Sequence, residues 1–69
     1  MARNPHALSF REMTVMHLLA NGKSDKEIST VLGIRPFTVS KHVGNILKKM
    51  GAASRTEAGV RAWRDGLVG

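Results

Sequence analysis

Cysteine is absent from these 69 residues, proline occurs twice, and the aromatics are Phe10, Phe37 and Trp63 alone. Without cysteine there is no disulfide framework and no thiolate metal site to hold the fold. A chain this short buries only about 60% of the surface its unfolded form exposes, so helix packing, helped by self-association, must supply the stability. Apolar runs last only a few residues, which excludes a membrane span, and no signal-peptide pattern opens the chain. A soluble, cytoplasmic protein is expected. Acidic residues are scarce as well, five against eleven Lys and Arg, for a net charge of +6 and a pI near 11.0. That excess is the electrostatic footprint of a nucleic-acid binder. Between Arg35 and Arg55 there is no acid at all, while Arg35, Lys41, Lys48, Lys49 and Arg55 are all basic.

Catalytic patterns are missing too. Histidines 6, 17 and 42 lack metal-ligand spacing, and there is no glycine-rich phosphate loop, no HExxH and no pair of carboxylates on one face. Neither an enzyme nor a cofactor or metal site is expected.

What is present is a repeated start signal. Ser9 with Glu12, Ser24 with Glu27, and Ser54 with Glu57 each place a serine three residues before a glutamate, the pattern of a capping box. Leu8 is placed to staple onto Met13. Glycines alternate with these starts: Asn21-Gly22, Gly33, Gly51 and Gly66 each stop a helix. The spacing predicts four helices, the last from about Arg55 to Asp65, and hence an all-α four-helix bundle over residues 8–69. Residues 1–7, with Pro5 and no periodicity, read as a frayed arm or linker remnant. Arg3 and His6 within it have no assigned role.

Val15, Met16 and Leu19 form the core face of the first helix, and Ile28, Val31 and Leu32 that of the second. In the third, Val39, Val43, Ile46 and Met50 recur at four, three and four. Residues 24–51 therefore read as a helix-turn-helix. At about 100° per residue, Phe37, Lys41, Gly44 and Lys48 fall on the face opposite that stripe, flanked by Ser40 and Asn45. A recognition helix needs this division, one face fixed to the scaffold and the other entering the major groove.

Phe37, Ser40, Lys41 and Gly44 are the base-facing candidates. Lys41 can donate to guanine O6 and N7, or contact a phosphate. Ser40 can bond to a base, a phosphate, or the carbonyl four residues back. Lys48 and Lys49, further along, are placed for backbone contact. Thr38 and the amides behind Pro36 lie at a helix start whose dipole favours phosphate. The same logic applies to Ser24 and Lys26, and to Ser54 and Arg55, although each serine also serves as its own helix cap.

In the last helix, Gly59 costs about 1 kcal/mol relative to alanine. Ala58 and Ala62 face inward. Val60, Trp63 and Leu67 recur at three and four and form either a lid on the core or a dimer surface.

These segments together resemble the LuxR/FixJ-type (GerE-like) DNA-binding domain of bacterial transcription regulators. The resemblance runs from Leu8 to Leu67 through LSFRE, LLANGKSDKEIS, LGI, TVSKHVGNILKKMGA and SRTEA. It implies a four-helix domain that binds an inverted repeat of double-stranded DNA as a homodimer through its last helix and regulates transcription. By resemblance, Ser40, Lys41 and Gly44 are base-facing, and Thr38, Lys48 and Arg55 contact the backbone. Three positions depart from the pattern. Arg35 replaces a common capping serine, Phe37 a polar or basic residue, and Gly44 a side chain able to reach a base. Two other readings remain. One is a small interaction module that pairs with a full-length regulator, and the other is an RNA polymerase-binding domain resembling the promoter-reading end of a sigma factor.

Overall fold

The computed structural model describes residues 4–68, and those residues form four α-helices: α1 Phe10–Ala20, α2 Asp25–Leu32, α3 Pro36–Met50 and α4 Arg55–Arg64. Two of the three expected capping boxes close in both directions. Ser9 Oγ accepts from the Glu12 amide at 3.1 Å while Glu12 Oε1 accepts from the Ser9 amide at 2.8 Å, and Ser24 and Glu27 repeat the exchange at 3.1 and 2.9 Å. At α4 only half forms. Ser54 caps the Glu57 amide, but the Glu57 carboxylate turns instead to Arg61, one helical turn on, at 2.7 Å. Arg61 also donates to the Met50 carbonyl, so the diverted pair secures the end of α3.

All four helices end in the same backbone closure, in which an amide just beyond the helix returns to a carbonyl five residues back. The bonds are Lys23 to Leu18, Ile34 to Ser29, Ala52 to Leu47, and Leu67 to Ala62. In the helix-turn-helix the reversal falls on Gly33, at φ +68°, where a Cβ would be strained. It turns Ile34 back against the core and leaves two residues, Ile34 and Arg35, before α3 begins.

The same device corrects the expectation for Leu67. A spacing of three and four from Val60 through Trp63 to Leu67 puts them on one stripe only if the helix continues. Gly66, at φ +73°, reverses the chain first, and Leu67 folds into the core with 1% of its surface exposed. It joins the core, the first of the two alternatives, and not the exposed surface of α4. Val31 is also corrected. It is 61% exposed, because α2 packs along Ile28, Ser29 and Leu32. The buried Ser29 hydroxyl donates to the Lys26 carbonyl at 2.8 Å, which removes the cost of placing it there.

The remaining core follows the sequence pattern. Val15, Met16 and Leu19 from α1, Ile28 from α2, Val39, Val43, Ile46 and Met50 from α3, and Ala58 and Ala62 from α4 are buried together. Leu8 is buried beside them, with Met13 packed partly against the cluster. Gly59 packs against the end of α1, where a Cβ would lie at ordinary contact distance, 3.7 Å from the Ala20 Cα. Residues 1–3 of the expected arm, Arg3 among them, lie outside the described residues. Asn4 to Ala7 form a turn. The Asn4 side chain bonds both the amide and the carbonyl of Leu8 at 2.9 Å, and His6 meets Asp65 at 3.1 Å. No helix among the described residues is long and apolar enough to cross a membrane.

Candidate nucleic-acid interface

The third helix divides as the 100° projection requires. Val39, Val43, Ile46 and Met50 are buried, while Phe37, Lys41, Gly44, Asn45 and Lys48 are exposed. The start of this helix differs from the other three. Arg35 occupies the N-cap without any side-chain hydrogen bond to the helix, and Pro36 fills the first position. Proline has no amide to satisfy. The amides of Phe37 and Thr38 are therefore left without a side-chain cap, beside the positive end of the helix dipole. Phe37 itself is 73% exposed, and the Lys41 ammonium lies 6.0 Å from the centre of its ring, at the outer range of a cation–π contact. Gly44 presents bare backbone, and a Cβ added there would meet nothing within 4 Å.

Three of the residues proposed for DNA are bound to a carboxylate on another helix. Ser40 is exposed, yet its hydroxyl reaches neither solvent alone nor its own helix; it donates to Asp25 Oδ2 at 2.8 Å. Arg55 forms an ion pair with the same carboxylate and donates to the Lys23 carbonyl at 3.1 Å. Asp25 thus joins the starts of α2 and α4 to the flank of α3. Its carboxyl is held below the ordinary aspartate range, chiefly by the Arg55 guanidinium, with the Ser40 hydroxyl adding to the effect against the opposing influence of burial. Lys49 is the third. Its ammonium lies 2.7 Å from Glu12 Oε1, on a side chain only 7% exposed, and reaches the Ala7 carbonyl at 3.5 Å. The Lys49 hydrogen bond is also the main cause of the lowered Glu12 pKa, followed by the Ser9 amide.

Ser24 and Ser54 are exposed and serve as caps, as their spacing indicates. Thr38 is half-buried, and Lys26 is exposed without an ion pair among the described residues. Every acid of the chain is committed internally. Glu12, Asp25, Glu57 and Asp65 face basic side chains, and Glu27 is bound in its capping box, with a pKa lowered by the Ser24 amide. Lys41 and Lys48 take part in none of these pairs. Sequence reading gave Asp25 no role and gave Glu12 its capping box but not its pairing with Lys49. Their role depends on partners 15 to 37 positions away, and a carboxylate in the first turn of a helix is already accounted for by the dipole.

On α4, Val60 is 60% and Trp63 51% exposed. The Trp63 indole N–H donates to the Ala20 carbonyl at 3.2 Å, so it covers the end of α1 while keeping half its surface open. Both residues border an open groove of about 520 Å³ that runs past Gly59 to Asp25 and Arg55.

Similarity to known proteins coincides with this domain. The chain is 45% identical over 65 residues to the transcriptional regulatory protein LiaR of Bacillus subtilis, a match that covers 93% of this chain and 31% of that protein. It is 42% identical over 65 residues to the HTH-type quorum-sensing regulator RhlR of Pseudomonas aeruginosa, covering 94% and 27% respectively. With the nitrate/nitrite response regulator protein NarP of Escherichia coli the identity is 45% over 51 residues, covering 74% and 24%. The chain thus spans less than a third of the length of these curated relatives. The family described as "Bacterial regulatory proteins, luxR family" matches residues 6–62, which include all of α1, α2 and α3 and most of α4, and the chain belongs to that family.

Proposed function

We propose that this domain binds double-stranded DNA by laying the outer face of α3 in the major groove, as a homodimer on an inverted repeat, and so regulates transcription in a bacterial cytoplasm. The observation that carries the reading is the acid-free outer stripe of Phe37, Lys41, Gly44 and Lys48, on a scaffold that pairs Glu12, Asp25 and Glu57 with internal cations and holds Glu27 in a capping box. Lys41, near the start of α3, reads a base edge, and Lys48, about two turns further on, meets a phosphate. Thr38 and the uncapped amides at the start of α3 accept a second phosphate, and Lys26 with the start of α2 a third. Ser40 and Arg55 contribute as a pair held by Asp25, and Ser54 by presenting the α4 amides. Lys49 belongs to the scaffold instead. The regulators named above support a role in transcription. An RNA polymerase or a second regulator contacting the exposed α4 face would complete it.

Titration of a palindromic duplex at several salt concentrations tests the proposal. Three to four phosphate contacts per subunit give a dimer a log–log slope near roughly −6. Lys48→Ala is expected to weaken all duplexes alike and flatten the slope by about one contact per subunit, whereas Lys41→Ala weakens the preferred site more than random DNA. Millimolar binding without a salt slope sinks the reading.

A further inference from the structure

We infer that Phe37 is a thymine reader, packing its ring against the 5-methyl group of a thymine that lies within about two base steps of a guanine bound by Lys41. The inference rests on the reading of the α3 outer face as the DNA-facing one, and it names what that face recognises.

Phe37 is an apolar ring, 73% exposed, set in cationic surroundings. Lys41 stands one turn away with its ammonium 6.0 Å from the ring centre. Arg35 precedes it, the uncapped amides of Phe37 and Thr38 lie at the same helix end, and no acid occurs between Arg35 and Arg55. An apolar ring beside a lysine ammonium and the positive end of a helix complements a surface that is anionic around an apolar spot. The major groove offers one such feature, the thymine methyl between two phosphate backbones, and apolar side chains contact it directly. Thymine carries the one methyl group among the standard base edges, the largest apolar feature there for a ring that has no donor or acceptor.

Spacing narrows the prediction. Residues four apart on a helix are separated by about 6 Å along its axis, and base pairs are stacked about 3.4 Å apart. Phe37 and Lys41 therefore address bases no more than about two steps from each other. Gly44, one turn beyond with no side chain, adds no readout that would compete with this pair.

The test uses the full 69-residue chain and a site selected from random duplexes. Each thymine of that site is replaced in turn by deoxyuridine, which removes the methyl and leaves base pairing and the O4 acceptor in place. At one position per half-site, within two steps of a guanine, wild type is expected to lose about fourfold in affinity per methyl removed. Phe37→Ala should bind thymine and deoxyuridine duplexes equally while retaining the salt slope, and Phe37→Leu should keep part of the preference. A melting curve for each variant, expected to match wild type for so exposed a side chain, ties the loss to recognition. If wild type binds the two duplexes equally at every position, or if Phe37→Ala retains the discrimination, the inference is overturned and the ring faces something other than a base. Absence of any salt-dependent binding would remove the DNA reading itself, and this inference with it.

Discussion

Lys48 and Lys49 are adjacent in the chain and identical in chemistry, yet the fold gives them different tasks. Lys48 is exposed and unpaired among the described residues, whereas Lys49 holds the carboxylate of buried Glu12 and so links the end of α3 to the start of α1. Lys49→Ala is expected to lower stability by about 1–2 kcal/mol at neutral pH, the worth of a charge-assisted bond whose cation is partly exposed. The pH dependence follows from Glu12, whose pKa is lowered in the folded protein from the usual 4.5. Such a group stabilises the fold above its unfolded value, and that contribution disappears as pH falls through the lower folded value. The stability gap between wild type and Lys49→Ala, measured by denaturant unfolding across pH, should therefore be full near neutrality and close on acidification below 4.5. A gap that stays constant to low pH would mean that Lys49 acts through its aliphatic stem and not through Glu12.

Helix boundaries were legible because their causes are local. Each serine cap bonds an amide three residues away, and each glycine stop closes a bond over five. What escaped was set by contacts between elements. Ser40 bonds Asp25 across 15 positions, Arg55 pairs with Asp25 across 30, and Lys49 with Glu12 across 37. A helix projection places those side chains on an outer face without showing which neighbour arrives there. Leu67 leaves the Val60–Trp63 stripe for a local reason, since the helical period ends at Gly66. The interior glycines of α3 and α4 show how much an element's surroundings decide. Both have helical backbone, so alanine should recover up to about 1 kcal/mol of helix propensity at either position. At Gly44 the new methyl meets open space; at Gly59 it reaches ordinary contact distance from Leu19 and Ala20, at 3.8 and 3.7 Å. Gly44→Ala and Gly59→Ala are both expected to raise the melting temperature by several degrees. Destabilisation by Gly59→Ala would show that α1 and α4 pack more tightly than those distances indicate.

At the scale of the whole molecule, loss of Leu67 from the α4 surface leaves Val60 and Trp63 as the apolar residues open to a partner. Two side chains, one of them half committed to covering α1, make a small patch. Stable protein–protein interfaces bury well over about 1,000 Å² in total, more than such a patch supplies. The proposed dimer is therefore expected to form on DNA, where two half-sites would hold the subunits at high effective concentration and a weak contact suffices. The free chain is expected to sediment as a monomer at micromolar concentration. Val60→Glu, which puts two carboxylates face to face at the contact while sparing the core, should leave the melting curve unchanged and reduce binding to the inverted repeat to that of independent subunits. The salt slope would then fall from roughly −6 to roughly −3. Trp63 is a poorer probe, because its replacement also frees the Ala20 carbonyl and confounds association with stability. If Val60→Glu binds the inverted repeat with an undiminished slope and two subunits per duplex, the α4 face is not the dimer contact, and Val60 and Trp63 are free for a different partner.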